Sequence, residues 1–341
     1  MTDVHSYPSL DSPLDVGGRG QNVTAPINSR RRRRRRNWSL LAGATLGILI
    51  VLITLLHNVI EPYPPSAINL VVEFNGLSWS HLLGTDELGR DEFSRVLAGF
   101  PFSIGVAAIG VIVSSVIGTI LGLIGAGWPG WPRFVVRRFL DFGIAFPFLV
   151  TAVVVIVVVG NGFWQLALTL GIVTWPVFAR VTLAQGSVIA EQEYVLAARL
   201  MGVRPIRRAI RHILPAMRGT IVVMVAFMFA DLLLIQTGLA FVGLGAPLGT
   251  PTWGNLLHDS EQYLLNAPWM LAGPAVAIVL TVITANLIGD GLARQGIGPR
   301  LTVRPLALLL RPLRRGDLLA TQSPTAPAEM TNDTATLENR S

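Results

Sequence analysis

The sequence contains no cysteine and no lysine. The first absence excludes disulfides, thiolate metal sites, iron–sulfur clusters and cysteine nucleophiles, and leaves the redox compartment open. The second makes arginine the source of all 27 basic side chains, which we attribute to genome composition. No GxxxxGK[ST] phosphate loop is present, so the chain is not itself a P-loop ATPase. Charge is scarce as well: charged residues fill 14% of the 341 positions and apolar ones 51%. That balance departs from soluble domains and points to a membrane protein. The net charge of +7 implies nucleic acid or an anionic surface only once its location is known.

What the chain does have is long uncharged runs. A bilayer core of about 30 Å takes roughly 20 apolar residues in a helix. Intervals 40–60, 96–132, 142–179, 220–244 (uncharged except Asp231) and 262–289 meet that length. The third would make a helix of about 57 Å, so it must fold back. Gly160, Asn161 and Gly162 supply the turn. The reading is all-α with six spans at about 40–60, 102–126, 142–160, 163–179, 220–244 and 269–288. Together they form a membrane domain over 39–300.

Arginine sets the orientation, because cytoplasmic segments retain it. Eight arginines precede Trp38, three lie at 133–138, seven run from Arg180 to Arg218 and seven from Arg294 onward. Only Arg90 and Arg95 fall on the opposite side. Both termini are therefore cytoplasmic, and topology accounts for the basic charge without nucleic acid. Residues 1–38 form a polar tail without periodicity, expected to be disordered, and 301–341 a second tail, polar from Gln322 and expected to be largely disordered. The seven-arginine run at 30–36 reads as a topology determinant beside anionic lipid. The apolar run after it is span-length and lacks a cleavage site, so it is an uncleaved anchor.

The cytoplasmic loop 181–218 contains EYVLAARLMGVRPIRRAIRHILP at 193–215. Tyr194, Ala197, Ala198 and Met201 fall at i, i+3, i+4 and i+7, one face of a short helix that Gly202 stops. Pro205 suits the first position of a second helix, with Ile206, Ala209, Ile210 and Ile213 as its stripe and Pro215 as its end. Pattern alone leaves three readings open: a helix pair lying on the membrane, a DNA-binding helix-turn-helix, and a knob that docks on a soluble subunit. On the other side of the membrane, Thr85 is expected to cap an interfacial helix whose first turn holds Asp86 and Glu87. Four carboxylates at 86, 87, 91 and 92 do not by spacing define a metal site. The loop 245–268, with Trp253, His258 and Asp259, reads as part of a gate or docking surface. Within the spans, Asp231 and Gln236 are candidates for the translocation pathway, the alternative being hydrogen bonds to neighbouring helices. Pro147, Pro176 and Pro274 are expected to kink their helices.

The segment at 193–215 resembles the EAA loop of bacterial ABC-importer permeases. Leu196, Ala197, Ala198, Gly202, Leu214 and Pro215 fall on its spacing, while Leu196 replaces the Glu and His212 the Ile of that pattern. GTDELGRDEFSR at 84–95, FVGLG at 241–245, PTWGNLL at 251–257 and NLIGDGL at 286–292 are similar to the dipeptide, oligopeptide and nickel branch. The resemblance is to its second, C-type permease and covers about 40–300. It implies a type I importer fold, in the bacterial cytoplasmic membrane, that imports short peptides or, as an alternative, nickel or another small solute. It further implies a second homologous permease, two ABC ATPase subunits that hold the ATP and Mg, and an extracytoplasmic peptide-binding protein. This chain would bind no cofactor or metal and carry no catalytic residue. Tyr194, Ala197, Ala198, Arg199, Met201, Gly202 and Arg204 would then be the ATPase-coupling residues. A stand-alone secondary transporter is the alternative from another class.

Overall fold

The computed structural model describes residues 37–247 and 249–297. The tails and the arginine run at 30–36 lie outside them. Ten α-helices follow one another among the described residues: α1 (Trp38–Ile60), α2 (Glu92–Gly127), α3 (Trp131–Ala145), α4 (Phe148–Val159), α5 (Phe163–Ala190), α6 (Glu193–Leu200), α7 (Pro205–Arg208), α8 (Leu214–Phe241), α9 (Trp253–Glu261) and α10 (Trp269–Leu292). Five helical stretches are long and apolar enough to cross a membrane, and six if the bent pair α3 and α4 counts as one. The protein is an all-α, multi-pass membrane protein.

The third span is not the single 142–160 helix, kinked at Pro147, that the sequence predicts. Helix α3 begins at Trp131, and an 83° bend separates it from α4 at Phe146 and Pro147. Pro147 cannot continue the hydrogen-bond ladder of α3, and at 12 residues, about 18 Å, α4 is too short to cross alone. Pro176 and Pro274, by contrast, sit inside α5 and α10, which run through them. Helix α5 also continues unbroken to Ala190, where a loop was expected from 181.

The centre of the bundle is the pair α2 and α5, which meet where side chains are absent. A Cβ on Gly118 would lie 2.4 Å from the Cβ of Phe178 and 2.8 Å from both Ala179 N and Trp175 O. One on Gly122 would lie 2.5 Å from the Cβ of Thr182. In lipid, where apolar burial offers little drive, close backbone approach of this kind holds helices together. Gly118→Ala is therefore expected to destabilise the fold by about 1–3 kcal/mol, because backbone must shift to admit the methyl. Thermal unfolding in detergent measures it, and an unchanged midpoint would contradict the packing. Helix α8 joins the core through Leu232 and Leu233, both fully buried beside Val106, Leu166 and Leu170 of α2 and α5. Helix α1 lies at the edge, with Gly43 its one buried residue, against Ile288 of α10.

Candidate functional site: the cytoplasmic loop and its two ends

Helix α6 closes in a Schellman turn. Gly202 N–H donates to Arg199 O and Val203 N–H to Ala198 O, both at 3.0 Å, while Gly202 sits at φ +76°. That left-handed conformation is cheap only for glycine and, less so, asparagine. The opposite end of the loop departs from expectation. Pro215 does not end a helix: α7 passes through a π turn (Ala209–Ile213) directly into α8. Proline has no N–H to give the carbonyl four residues back, and a π turn immediately before it is one way a helix accommodates that loss. The second half of the loop and the fifth span are thus one continuous helical body from Pro205 to Phe241.

The loop shows apolar side chains on two faces. Val195, buried, packs with Leu123 of α2 and with Ile213 and Met217. Ala198 turns inward as well, 3% exposed, so it does not share an outward face with Tyr194, Ala197 and Met201. The outward face is made instead by Tyr194, Leu196, Ala197, Leu200 and Met201, with Leu200 88% and Met201 75% exposed. Arg199 and Arg204 are exposed beside it. In the second helix Ala209 and Ile213 are buried while Ile206 and Ile210 are open, which splits the predicted stripe. Leu196 and Leu200 were missed because they stand off the i, i+3, i+4, i+7 row, and a stripe inside an eight-residue helix cannot reveal which row its neighbours cover.

The extracytoplasmic end is tied down by ions. Thr85 is not a helix cap: it pairs with Asp91 in an isolated β-bridge, and its hydroxyl donates to Val72 O. The cap of α2 is Asp91, which accepts from Ser94 N–H at 2.8 Å. Asp86, fully buried, accepts from the backbone N–H groups of Leu88 and Arg90, from Arg90 Nε at 2.6 Å and from Arg95. Arg95 reaches onward to Asp259 of α9 at 3.0 Å and lies 3.6 Å from Glu92. Outside the membrane, partial burial lifts the Glu87 carboxyl above its ordinary range. Asp86, Glu87 and Asp91 are thus engaged with Arg90, Arg95 and His81, while Glu92 has only Arg95 at 3.6 Å. Trp253 is fully buried, set edge-on against Phe100 at 4.8 Å and donating Nε1–H to Val96 O at 3.1 Å.

The two candidate pathway residues part company. Gln236 is buried in the bundle, its amide donating to Thr237 Oγ1 at 3.2 Å while its oxygen has no partner among the described residues. Asp231 is exposed on α8 and makes no ion pair or side-chain hydrogen bond among the described residues. Leu234 and Gly238 continue its open face at i+3 and i+7.

Residues 114–301 match the family described as the binding-protein-dependent transport system inner membrane component. The glutathione transport system permease protein GsiD of Pectobacterium atrosepticum is 33% identical over 284 residues, covering 83% of this chain and 94% of that protein. The dipeptide transport system permease protein DppC of Alkalihalophilus pseudofirmus is 32% identical, covering 76% of this chain and 86% of its own. GsiD of Escherichia coli O6:K15:H31 is 34% identical, with 82% and 92% covered.

Proposed function

Because the chain belongs to the binding-protein-dependent transport system inner membrane component family, we propose that it is one permease half of an importer for short peptides. Its partners in this reading are a second homologous permease, two ABC ATPases that bind ATP and Mg, and an extracytoplasmic peptide-binding protein. The chain itself catalyses nothing and binds no cofactor. The observation that carries the reading is the outward apolar face of α6 on a loop continuous with a span. Tyr194, Leu200 and Met201 present to water a surface that a soluble groove would cover, as helix-in-groove recognition does. Arg199 and Arg204 flank it as ionic contacts. When ATP closes the paired ATPases, the groove moves and α6 moves with it. The π turn and α8 pass that displacement to the spans as a rigid-body shift, and access alternates across the membrane.

In this account Asp231 lines the pathway. An ionised carboxylate facing acyl chains is costly, so an exposed mid-helix Asp belongs where water or a second permease meets it. Asp231→Asn is expected to lower uptake about tenfold, the scale of a lost charge-assisted hydrogen bond, with the assembled complex intact. Uptake kinetics in vesicles decide it, and unchanged KM and kcat would remove Asp231 from the pathway. Purification of the tagged chain from native membranes tests the assembly: two ATPase copies and a second permease should accompany it. Recovery of the chain without any ATPase would contradict the reading.

A further inference from the structure

The cytoplasmic end of α2 is held by two guanidinium groups that reach it from different parts of the chain. Arg133, at the start of α3, donates to Gly125 O at 3.0 Å and Ala126 O at 3.3 Å. Arg208 donates from Nη2 to Gly127 O at 2.9 Å across 81 residues. These are terminal carbonyls that a helix leaves without an internal partner, and they carry the negative end of its dipole. Arg207 and Arg211, on either side of Arg208, are exposed as lipid-facing or solvated arginines are, but Arg208 is 6% exposed. No carboxylate pairs with it among the described residues, so the α2 terminus is its counter-charge.

The two elements meet at ordinary van der Waals distance. A Cβ on Gly127 would lie 3.4 Å from the Cβ of Ala209 and 4.0 Å from Pro205 O. One turn further into the membrane, Leu123 of α2 packs with Val195, Ile213 and Met217 of the loop. The opposite end of α2, about 54 Å away along 36 residues, carries Arg95 and its hold on Asp259 of α9.

We propose that Arg208 clamps the ATPase-docking loop to the end of α2, so that loop and helix move as one body. The loop's displacement then travels along α2 to the extracytoplasmic surface as well as along α8. This rests on the permease reading above and makes Arg208 a positioning residue, which touches neither substrate nor the docking face.

The absence of cysteine makes the test direct, because Gly127→Cys with Ala209→Cys would create the chain's sole thiol pair at a separation near the usual disulfide range. The experiment uses the full complex in vesicles, with both ATPases, the second permease and dipeptide-loaded binding protein. Oxidised and reduced forms of the cysteine pair are expected to take up dipeptide at rates within about twofold, as a lock between parts that move together should not hinder them. Arg208→Met is expected to lower uptake about tenfold or more, the size of a lost charge-assisted hydrogen bond, while ATP hydrolysis without binding protein stays at the unmodified level. Oxidising the cysteine pair in the Arg208→Met background should restore uptake, and Arg208→Lys should fall between. Co-elution of all subunits checks that each variant assembles. Uptake stopped by oxidation and restored by reductant would mean that loop and α2 slide past each other, and the clamp is wrong. Unimpaired uptake by Arg208→Met would also overturn it. If the unmodified complex shows no ATP hydrolysis stimulated by loaded binding protein, the permease reading fails first and takes the clamp with it.

Discussion

Gly202→Val is expected to reduce uptake to background while the chain still inserts in the membrane. The residue sits at φ +76°, and no heavy atom beyond its own chain neighbours lies within 4 Å of where a Cβ would be, so the effect is backbone strain and not a clash. A β-branched residue in that conformation costs about 1–2 kcal/mol or more. Helix α6 has eight residues and no side-chain cap at its start, so its form leans on the closing turn and on Val195. Losing the turn reorients Leu200 and Met201, which are the most exposed apolar groups of the docking face. Gly202→Asn, tolerated in the left-handed region, should retain much of the activity, and Gly202→Ala should fall between. Uptake in vesicles and recovery of ATPase on the tagged chain are the two readouts. Normal values of both in the valine variant would sink the coupling role of this loop.

Arg95→Met is expected to destabilise the folded chain by about 3–5 kcal/mol, the usual cost of removing one partner from a buried ion cluster. Arg95 joins Asp86, Glu92 and Asp259, and the first two are almost wholly buried. Arg90 would still pair with Asp86, but neither oxygen of Glu92 has a hydrogen-bond partner among the described residues, and Arg95 is its nearest cation. Arg95→Lys should not rescue, because the two ends of the guanidinium fork reach Asp86 and Asp259 separately. Adding Glu92→Gln to Arg95→Met should recover part of the loss by removing the buried carboxyl left without its nearest cation. Thermal unfolding in detergent measures the series, and an unchanged midpoint for Arg95→Met would contradict the cluster's structural role.

How much of this was legible in the sequence depended on which force set each feature. The spans and their orientation follow from hydropathy and arginine placement, terms that one residue after another contributes along the chain. The turn at Gly160 and Gly162 was legible because both adopt positive φ between α4 and α5. The break at Pro147 was visible only as a kink, since the size of a bend is decided by what packs on either side. Thr85 has the composition of a helix cap, yet a bridge to Asp91 and an ion cluster pull the chain into a loop, an outcome fixed by Arg95 and Asp259, the latter far away in sequence. In the sequence Arg208 is one of seven arginines between Arg180 and Arg218, with nothing to set it apart. Its burial depends on its contact with the end of α2, 81 residues earlier, which no local pattern encodes.

The most direct test of the central claim is dipeptide uptake by vesicles that hold this chain, its companion permease and two ATPases, with loaded binding protein outside. The account predicts uptake that requires ATP and binding protein and disappears when the ATPases are omitted. Uptake by this chain alone, driven by an ion gradient without ATPase, would contradict it.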